Sequence, residues 1–313
     1  MRRARWLLAG GLVFLAASAA FGRSPQNSGK PAAQAKTAST PAKSSDYAGS
    51  ETCKSCHEEI YNGWEKSPHW RTTLNTKEGP AHQGCEGCHG PAASHVADPS
   101  DTSKLFIFTK ASSNDINERC LTCHLKSTTE QEHAVNSMHA KNGVSCTSCH
   151  SPHHAQAEHL LAKAQPQLCY TCHLAQKPQF DMPFHHRVNE GLVQCTDCHN
   201  PHGTERAHQL RTSATQDVVC FKCHTDKQGP FVFEHEAVKI EGCQACHTPH
   251  GGPNPHMLKV ANVNMLCLQC HTQSSFSGAP GTPSFHNQNT FFQACILCHG
   301  QIHGSNFSQF FFQ

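Results

Sequence analysis

The chain has 313 residues, and the set AVILMFWYC makes up 37% of it, but 20 of those residues are Cys. Without the cysteines about 31% is apolar, thin for a side-chain core when globular chains run at roughly 45–50%. A formal charge of +2 excludes a strongly basic nucleic-acid binder, and 15% charged residues exclude a highly charged disordered chain.

The chain opens with Arg2, Arg3 and Arg5, an apolar run from Trp6 to Ala20, and the small-x-small triplet Ala17-Ser18-Ala19. This order predicts a secretory signal peptide over residues 1–19. The run is shorter than the ~20 residues of a spanning helix. The arginines lack twin-arginine flanks, and no Cys stands near the cleavage site to take a lipid. Residues 20–47, rich in Ala, Ser, Thr, Lys and Pro, are expected to be a flexible linker. A Cys- and His-rich domain is expected over 48–306, followed by a Phe-rich C-terminal tail, 307–313.

An exported chain with many cysteines suggests disulfides, but the pattern here is C-x-x-C-H repeated ten times. The pairs are Cys53/Cys56, Cys85/Cys88, Cys120/Cys123, Cys146/Cys149, Cys169/Cys172, Cys195/Cys198, Cys220/Cys223, Cys243/Cys246, Cys267/Cys270 and Cys295/Cys298. They are numbered here as motifs 1 to 10. Each is followed by a His: His57, His89, His124, His150, His173, His199, His224, His247, His271 and His299. No Cys is left over. C-x-x-C-H is the attachment signature of c-type haem. Two thiols add to the two vinyl groups on one haem edge, and the adjacent His binds iron from one face. Paired-Cys zinc sites have no use for a His after every second Cys. The expected cofactor is heme c, ten copies, covalently attached.

Ten bis-His haems need ten more histidines, and seventeen lie outside the motifs. Taken two at a time, the motifs recur with a period of about 50 residues, so the chain reads as five tandem dihaem repeats, with an insertion after His89 that carries Leu105-Phe106-Ile107-Phe108. One extra His precedes each even motif: His69, His139, His185, His235 and His286. Another follows each: His95, His153, His202, His250 and His303. These ten are the expected distal ligands. His185 is preferred to His186 because His185-x-x-Val188 matches His235-x-x-Val238, and His153 is preferred to His154. A third class, His159, His208 and His256, recurs in only three repeats and is expected to be exposed or to bond propionates. Three extended residues span at most ~10 Å, so a post-motif His should ligate a neighbouring haem rather than its own.

The 247 residues from Cys53 to His299 leave about 25 per haem. The macrocycles must therefore lie close together, and irons capped on both faces suit conduction better than catalysis. The expected fold class is a multihaem cytochrome c: mostly irregular, with short α-helices such as Glu58 to Trp64 and Gln156 to Lys163, little or no sheet, and an elongated tandem array. Losing the three N-terminal arginines and gaining ionised propionates would take the charge from +2 to roughly −11 oxidised.

The opening Glu51-Thr52-Cys53-Lys54-Ser55-Cys56-His57-Glu58, the repeated Cys-His-x-Pro-His style strings and the closing Cys298-His299-Gly300-Gln301-Ile302-His303-Gly304-Ser305-Asn306 resemble the MtrA/DmsE-type periplasmic decahaem cytochromes, over roughly residues 48 to 306. The resemblance implies a haem wire partly threaded through an outer-membrane β-barrel protein. The donor would be a periplasmic or inner-membrane electron-donor cytochrome and the acceptor an outer-face cytochrome or reductase, with no nucleic acid partner. The expected location is the periplasm, in association with the outer membrane. The Phe-rich end, Phe307 and Phe310 to Phe312, has no match in the family pattern; docking and a frayed tail both stay open. The competing functions are a soluble periplasmic shuttle, a multihaem reductase and a filament subunit. A reductase needs one haem with an open face, often marked C-x-x-C-K, and no such motif occurs.

Overall fold

The computed structural model describes residues 42–124, 133–211, 218–271 and 294–312; the expected signal peptide, most of the linker, and His286 lie outside the described residues. The elements below belong to the unit Lys43–Gln313.

Local structure starts at the motifs. In each of eight motifs the His N–H donates to the carbonyl of the first Cys, for instance His57 to Cys53 at 2.9 Å and His299 to Cys295 at 2.9 Å. The other two motifs lie within helices. One helical turn places positions i, i+3 and i+4 on a single face. The spacing C-x-x-C-H thus presents two thiols and an imidazole side by side.

Helices α1 (Ser50–Lys54) and α2 (Glu58–Glu65) flank motif 1, α3 (Gly84–His89) contains motif 2, α4 (Ala93–Ala97) follows it, and α5 (Ser113–His124) ends in motif 3. Later helices are four or five residues long, such as Lys177–Phe180 and Val263–Cys267, and are joined by 3₁₀ turns. The described sheet is one antiparallel pair, β1 (Phe184–His185) with β2 (Gly251–Gly252), in the register Phe184↔Gly252 and His185↔Gly251. This is the mostly irregular fold with short helices that the composition implies. Among the described residues no helix is long and apolar enough to cross a membrane.

The side-chain core is small. Its buried apolar members are Tyr61, Trp64, Ala92, Ile116, Leu121, Phe180, Val188 and Val219, and no large side chain is fully buried among the described residues. Near the N-terminus a polar clamp supplements it. Glu86 is 4% exposed, and its carboxylate accepts from the backbone N–H groups of Ala48 (3.0 Å), Gly49 (2.8 Å) and Ala92 (2.8 Å). Tyr61 donates to Glu51, which pushes its phenol up to about 12.

The helix expected from Glu58 is present and ends at Glu65. The one expected over Gln156–Lys163 is absent. His159 and Leu160 have φ of 56° and 58°, left-handed values that an α-helix cannot contain. The segment is a tight return: Ser151 donates to the carbonyl of Leu160 (2.7 Å), and Ala162 donates to that of Cys149 (2.9 Å). The same turn recurs at His208/Gln209 and His256/Met257, again with φ of 53–56°. In the Phe-rich segment Phe311 adopts a φ of 57°, and its carbonyl accepts from Gln301 (2.9 Å). The C-terminal phenylalanines therefore fill, after motif 10, the place this turn holds after motifs 4, 6 and 8.

Candidate metal centres

Each motif imidazole in the described chain, other than His299, has one non-motif histidine ring facing it. The pairs with near-parallel planes are His57–His95 (6.4 Å between ring centres, 21°), His89–His153 (6.1 Å, 16°), His150–His202 (6.0 Å, 14°), His235–His271 (6.2 Å, 11°) and His247–His303 (6.3 Å, 15°). The crossed pairs are His69–His124 (6.1 Å, 77°), His139–His173 (6.0 Å, 72°), His186–His224 (6.1 Å, 67°) and His199–His250 (6.1 Å, 52°).

This separation is too wide for direct contact and fits one atom between the rings. A metal–imidazole bond of about 2.0 Å, with about 1.1 Å from nitrogen to ring centre, sets two trans imidazoles about 6 Å apart. Among the described residues no group of three or more His, Cys, Asp or Glu side chains converges on one point. Donors meet in twos, so the protein furnishes an axial pair and leaves the equatorial positions to a macrocycle. The residues fit haem.

Hydrogen bonds fix the tautomers. A carbonyl can only accept, so an imidazole bonded to one through Nδ1 carries its proton there and keeps Nε2 free for metal. After motifs 4, 6 and 8, His150, His199 and His247 each donate at 2.8 Å to the carbonyl of His159, His208 or His256. The third class of histidine thus contributes its backbone, held in a left-handed turn, while its ring is exposed. After motif 10, His299 donates to Phe310 (2.5 Å). After motif 2, the apolar insertion takes this place: His89 donates to Phe106 (3.2 Å), and Phe108 packs on the His89 ring at 5.2 Å. The histidines before the even motifs are held in turn. His139 donates to Pro201 (2.9 Å), His186 to Pro249 (2.5 Å), and His235 to Ile302. Each acceptor immediately precedes a post-motif histidine. Burial holds His69, His153, His235, His250 and His303 below the ordinary imidazole range, favouring the neutral form a ligand needs.

One expectation is corrected by placement. His186, not His185, faces His224. Both His185 nitrogens are engaged within the protein, Nδ1 with the Met182 carbonyl (2.5 Å) and Nε2 with Glu190 (3.0 Å), so neither lone pair is available for iron. The Glu190 carboxylate raises the pKa of His185, the opposite of what a ligand requires. The match to His235 through Val188 misled because β1 places His185 in the ladder with Gly251 and turns the next ring toward motif 7. His153 faces His89, with His154 beside it.

The ring pairs interlock neighbouring repeats. His69, from the first repeat, reaches motif 3, while His153, from the second, reaches motif 2. The same exchange joins His139 to motif 5 and His202 to motif 4, His186 to motif 7 and His250 to motif 6, and His235 to motif 9 and His303 to motif 8. His95 is different: it turns back to motif 1 of its own repeat. Close packing makes the first exchange possible. A Cβ on Gly63 of α2 would stand 2.0 Å from the His153 carbonyl oxygen, so only glycine lets the two backbones meet there.

The thiols follow the chain order. Cys53 shares a hydrogen bond with Cys85, Cys120 with Cys146, and Cys169 with Cys195, all within repeats. Cys88 lies within electrostatic reach of Cys123, Cys149 of Cys169 and Cys172, Cys198 of Cys220 and Cys223, and Cys246 of Cys270 between them. The two members of a motif are both half-buried in motifs 4, 6 and 8 and differ in the others. In motifs 5 and 7 the first cysteines, Cys169 and Cys220, are half-buried, whereas Cys172 and Cys223 are exposed. As expected haem anchors, Cys172 and Cys223 therefore stand at the surface and not in a pocket walled by protein, and their role rests on the motif spacing. The N–H of Cys172 donates to the Cys169 carbonyl (3.2 Å) and that of Cys223 to the Cys220 carbonyl (3.2 Å), the same turn that Cys149 and Cys246 make with Cys146 and Cys243. The Thr171 hydroxyl, in the same loop, donates to the Cys172 Sγ at 3.9 Å.

Known proteins share these features. A family model described as a doubled CXXCH motif matches residues 138–178, 185–229 and 235–276, and one described as cytochrome c554 and c-prime matches 52–83 and 91–151. The multiheme cytochrome MtrA of Shewanella baltica (strain OS185) is 31% identical over 270 residues, 82% of this chain and 79% of that protein. The doubled-motif frame pairs motif 4 with 5, 6 with 7 and 8 with 9, one motif out of phase with the repeats read from spacing. A tandem array has no intrinsic starting point, and this phase groups the motifs that exchange histidines.

Proposed function

The chain belongs to the MtrA family of multihaem c-type cytochromes that transfer electrons, and from that premise we propose that it is a ten-haem conduit carrying electrons across the outer membrane inside a β-barrel partner. When bound, each haem supplies a one-electron iron(III)/iron(II) couple. The protein's part is to hold and order these groups. The twenty motif cysteines, the exposed Cys172 and Cys223 included, anchor them. The ten motif histidines, together with His69, His95, His139, His153, His186, His202, His235, His250, His286 and His303, would hold the irons through their imidazoles. His286 enters by its recurrence in the sequence, as the histidine before motif 10. Irons held by two imidazoles each would leave no site for substrate, which supports an electron carrier rather than an enzyme.

The observation that carries this reading is the reciprocal exchange of histidines at each junction between repeats. Histidines exchanged in both directions would tie two neighbouring haems to one another at each junction, which is what a relay through many centres needs. A second observation supports the barrel. The chain has 25 Lys and Arg and 23 Asp and Glu, and none of them lies in residues 260–313. That end also exposes Phe307 (94%), Leu297 (65%) and Met265 (56%). A charge-free, aromatic surface loses little on leaving water. The donor in this reading is a periplasmic or inner-membrane cytochrome, and the acceptor an outer-face cytochrome or reductase.

The test is co-purification in detergent with a β-barrel protein, followed by insertion of the complex into liposomes that enclose a redox dye. The expected result is reduction of the dye by an external donor only when the complex is present. A haem-loaded monomer that never partitions with a barrel would instead establish the soluble periplasmic shuttle.

A further inference from the structure

The four described exchanges that serve even motifs repeat one geometry with one exception. The ring planes of His89–His153, His150–His202 and His247–His303 lie 14–16° apart, whereas those of His199–His250 lie 52° apart. The exception coincides with two contacts on His250. Gln179 accepts a hydrogen bond from His250 Nδ1 through Oε1 at 3.0 Å, and the Phe180 ring lies 5.0 Å from the His250 ring. Gln179 Nε2 donates to the Ala175 carbonyl (3.2 Å), which fixes the amide with its oxygen toward His250. The turn Lys177–Phe180 is drawn in closely: a Cβ on Gly251, next to His250, would stand 2.2 Å from the Gln179 carbonyl oxygen, and Gly251 has a φ of +150°. The other histidine of this pair, His199, also donates, to the His208 carbonyl at 2.8 Å.

We propose that Gln179 is a positioning residue for the haem held by Cys195 and Cys198: with Phe180 it rotates the His250 ring out of the near-parallel arrangement used at the equivalent centres, and it makes that imidazole a stronger donor to iron. A ligand's partner hydrogen bond sets both its orientation and its basicity. The angle between two axial imidazole planes controls the splitting of the iron d orbitals. Near-parallel planes give a rhombic low-spin ferric signal in electron paramagnetic resonance, and crossed planes give a strongly anisotropic one. The centre at motif 6 is therefore spectroscopically and electrochemically distinct from those at motifs 2, 4 and 8, and a side chain, rather than a backbone carbonyl, makes it so.

The inference rests on the ligation of that haem by His250, so the experiment separates the two. In the holoprotein, His250→Ala should convert one haem to a high-spin, carbon-monoxide-binding form. If no haem changes spin state, the ligation reading fails. Gln179→Leu should leave all haems low-spin and move about a tenth of the ferric signal from the anisotropic to the rhombic class. Gln179→Glu, which keeps an acceptor and strengthens it, should retain the wild-type spectrum and disfavour reduction of one haem about tenfold, ~59 mV in a redox titration. A Gln179→Leu spectrum superposable on wild type, or a Gln179→Glu titration with no displaced haem, overturns the proposal.

Discussion

His185 and His186 are adjacent and chemically identical, yet only one of them reaches an opposing motif. The difference is which ring nitrogens are already bonded within the protein: His185 has both engaged, whereas His186 uses only Nδ1, with the Pro249 carbonyl, and keeps Nε2 for metal. Replacing His186 with Ala should leave ten covalent haems but convert one to a high-spin, carbon-monoxide-binding form. Replacing His185 with Ala should leave every haem low-spin. The reverse outcome in the visible absorption spectrum would assign the ligand to His185 instead. Glu86 works at the same scale with different chemistry. Its carboxylate gathers three backbone N–H groups at a site 4% exposed. Glu86→Gln presents a single acceptor oxygen and leaves buried donors unpaired, so it should lower unfolding stability by about 1–3 kcal/mol, read as a drop in Tm with haem content unchanged.

At the scale of elements, the recurring unit is the left-handed turn after an even motif. Its role is to bring one carbonyl to the Nδ1 of the motif histidine. His159, His208 and His256 do this by backbone, which is why their side chains carry no pattern a ligand would need. Two segments of unrelated sequence do the same job, Phe106 for His89 and Phe310 for His299. Removing residues 307–313 should therefore affect the motif 10 haem specifically. The expected result is one haem reduced more readily than in the full chain, because its histidine loses an acceptor and donates less to iron. A redox titration unchanged by the truncation would show that Phe310 does not serve His299. Gly63→Ala tests the junction between the first two repeats. A Cβ there cannot coexist with the His153 carbonyl, so the motif 2 haem should lose its low-spin signature while the centres after motif 5 keep theirs.

For the whole molecule, the ring-plane angles define a spectrum. Five described pairs lie within 11–21°, three lie at 67–77°, and the His199–His250 pair lies at 52°. With the His199–His250 centre in the anisotropic class, the fully oxidised holoprotein should show rhombic and strongly anisotropic low-spin signals in a ratio of about five to four, with one further haem to assign. The small side-chain core carries a second expectation. Binding free energy that arises only in the folded state becomes folding free energy, and here covalent haem supplies most of the apolar surface. Chain made without the haem-attachment machinery should be protease-sensitive and lack cooperative thermal unfolding, whereas holoprotein should resist digestion.

The sequence by itself determined the cofactor. C-x-x-C-H folds as one helical turn at the motifs, so the ten local strings identify heme c and offer ten thiol pairs and ten imidazoles as its candidate anchors, even where the second thiol is as exposed as Cys172 or Cys223. It also determined the sparse helices and near absence of sheet, because too few apolar residues remain for a conventional core. Counting and recurrence reached the candidate distal histidines, but not their destinations. Which ring faces which motif depends on contacts between segments some 30 to 65 residues apart, such as His69 with His124 and His186 with Pro249. A register of that kind is set by packing and backbone hydrogen bonds, and no local spacing encodes it. The tertiary structure alone decided between His185 and His186, because the acceptor for His186 is the Pro249 carbonyl 63 residues on, and it replaced a helix at Gln156–Lys163 with a left-handed turn and set the C-terminal phenylalanines against His299, because a carbonyl 9 or 11 residues after a motif histidine must fold back to meet its ring.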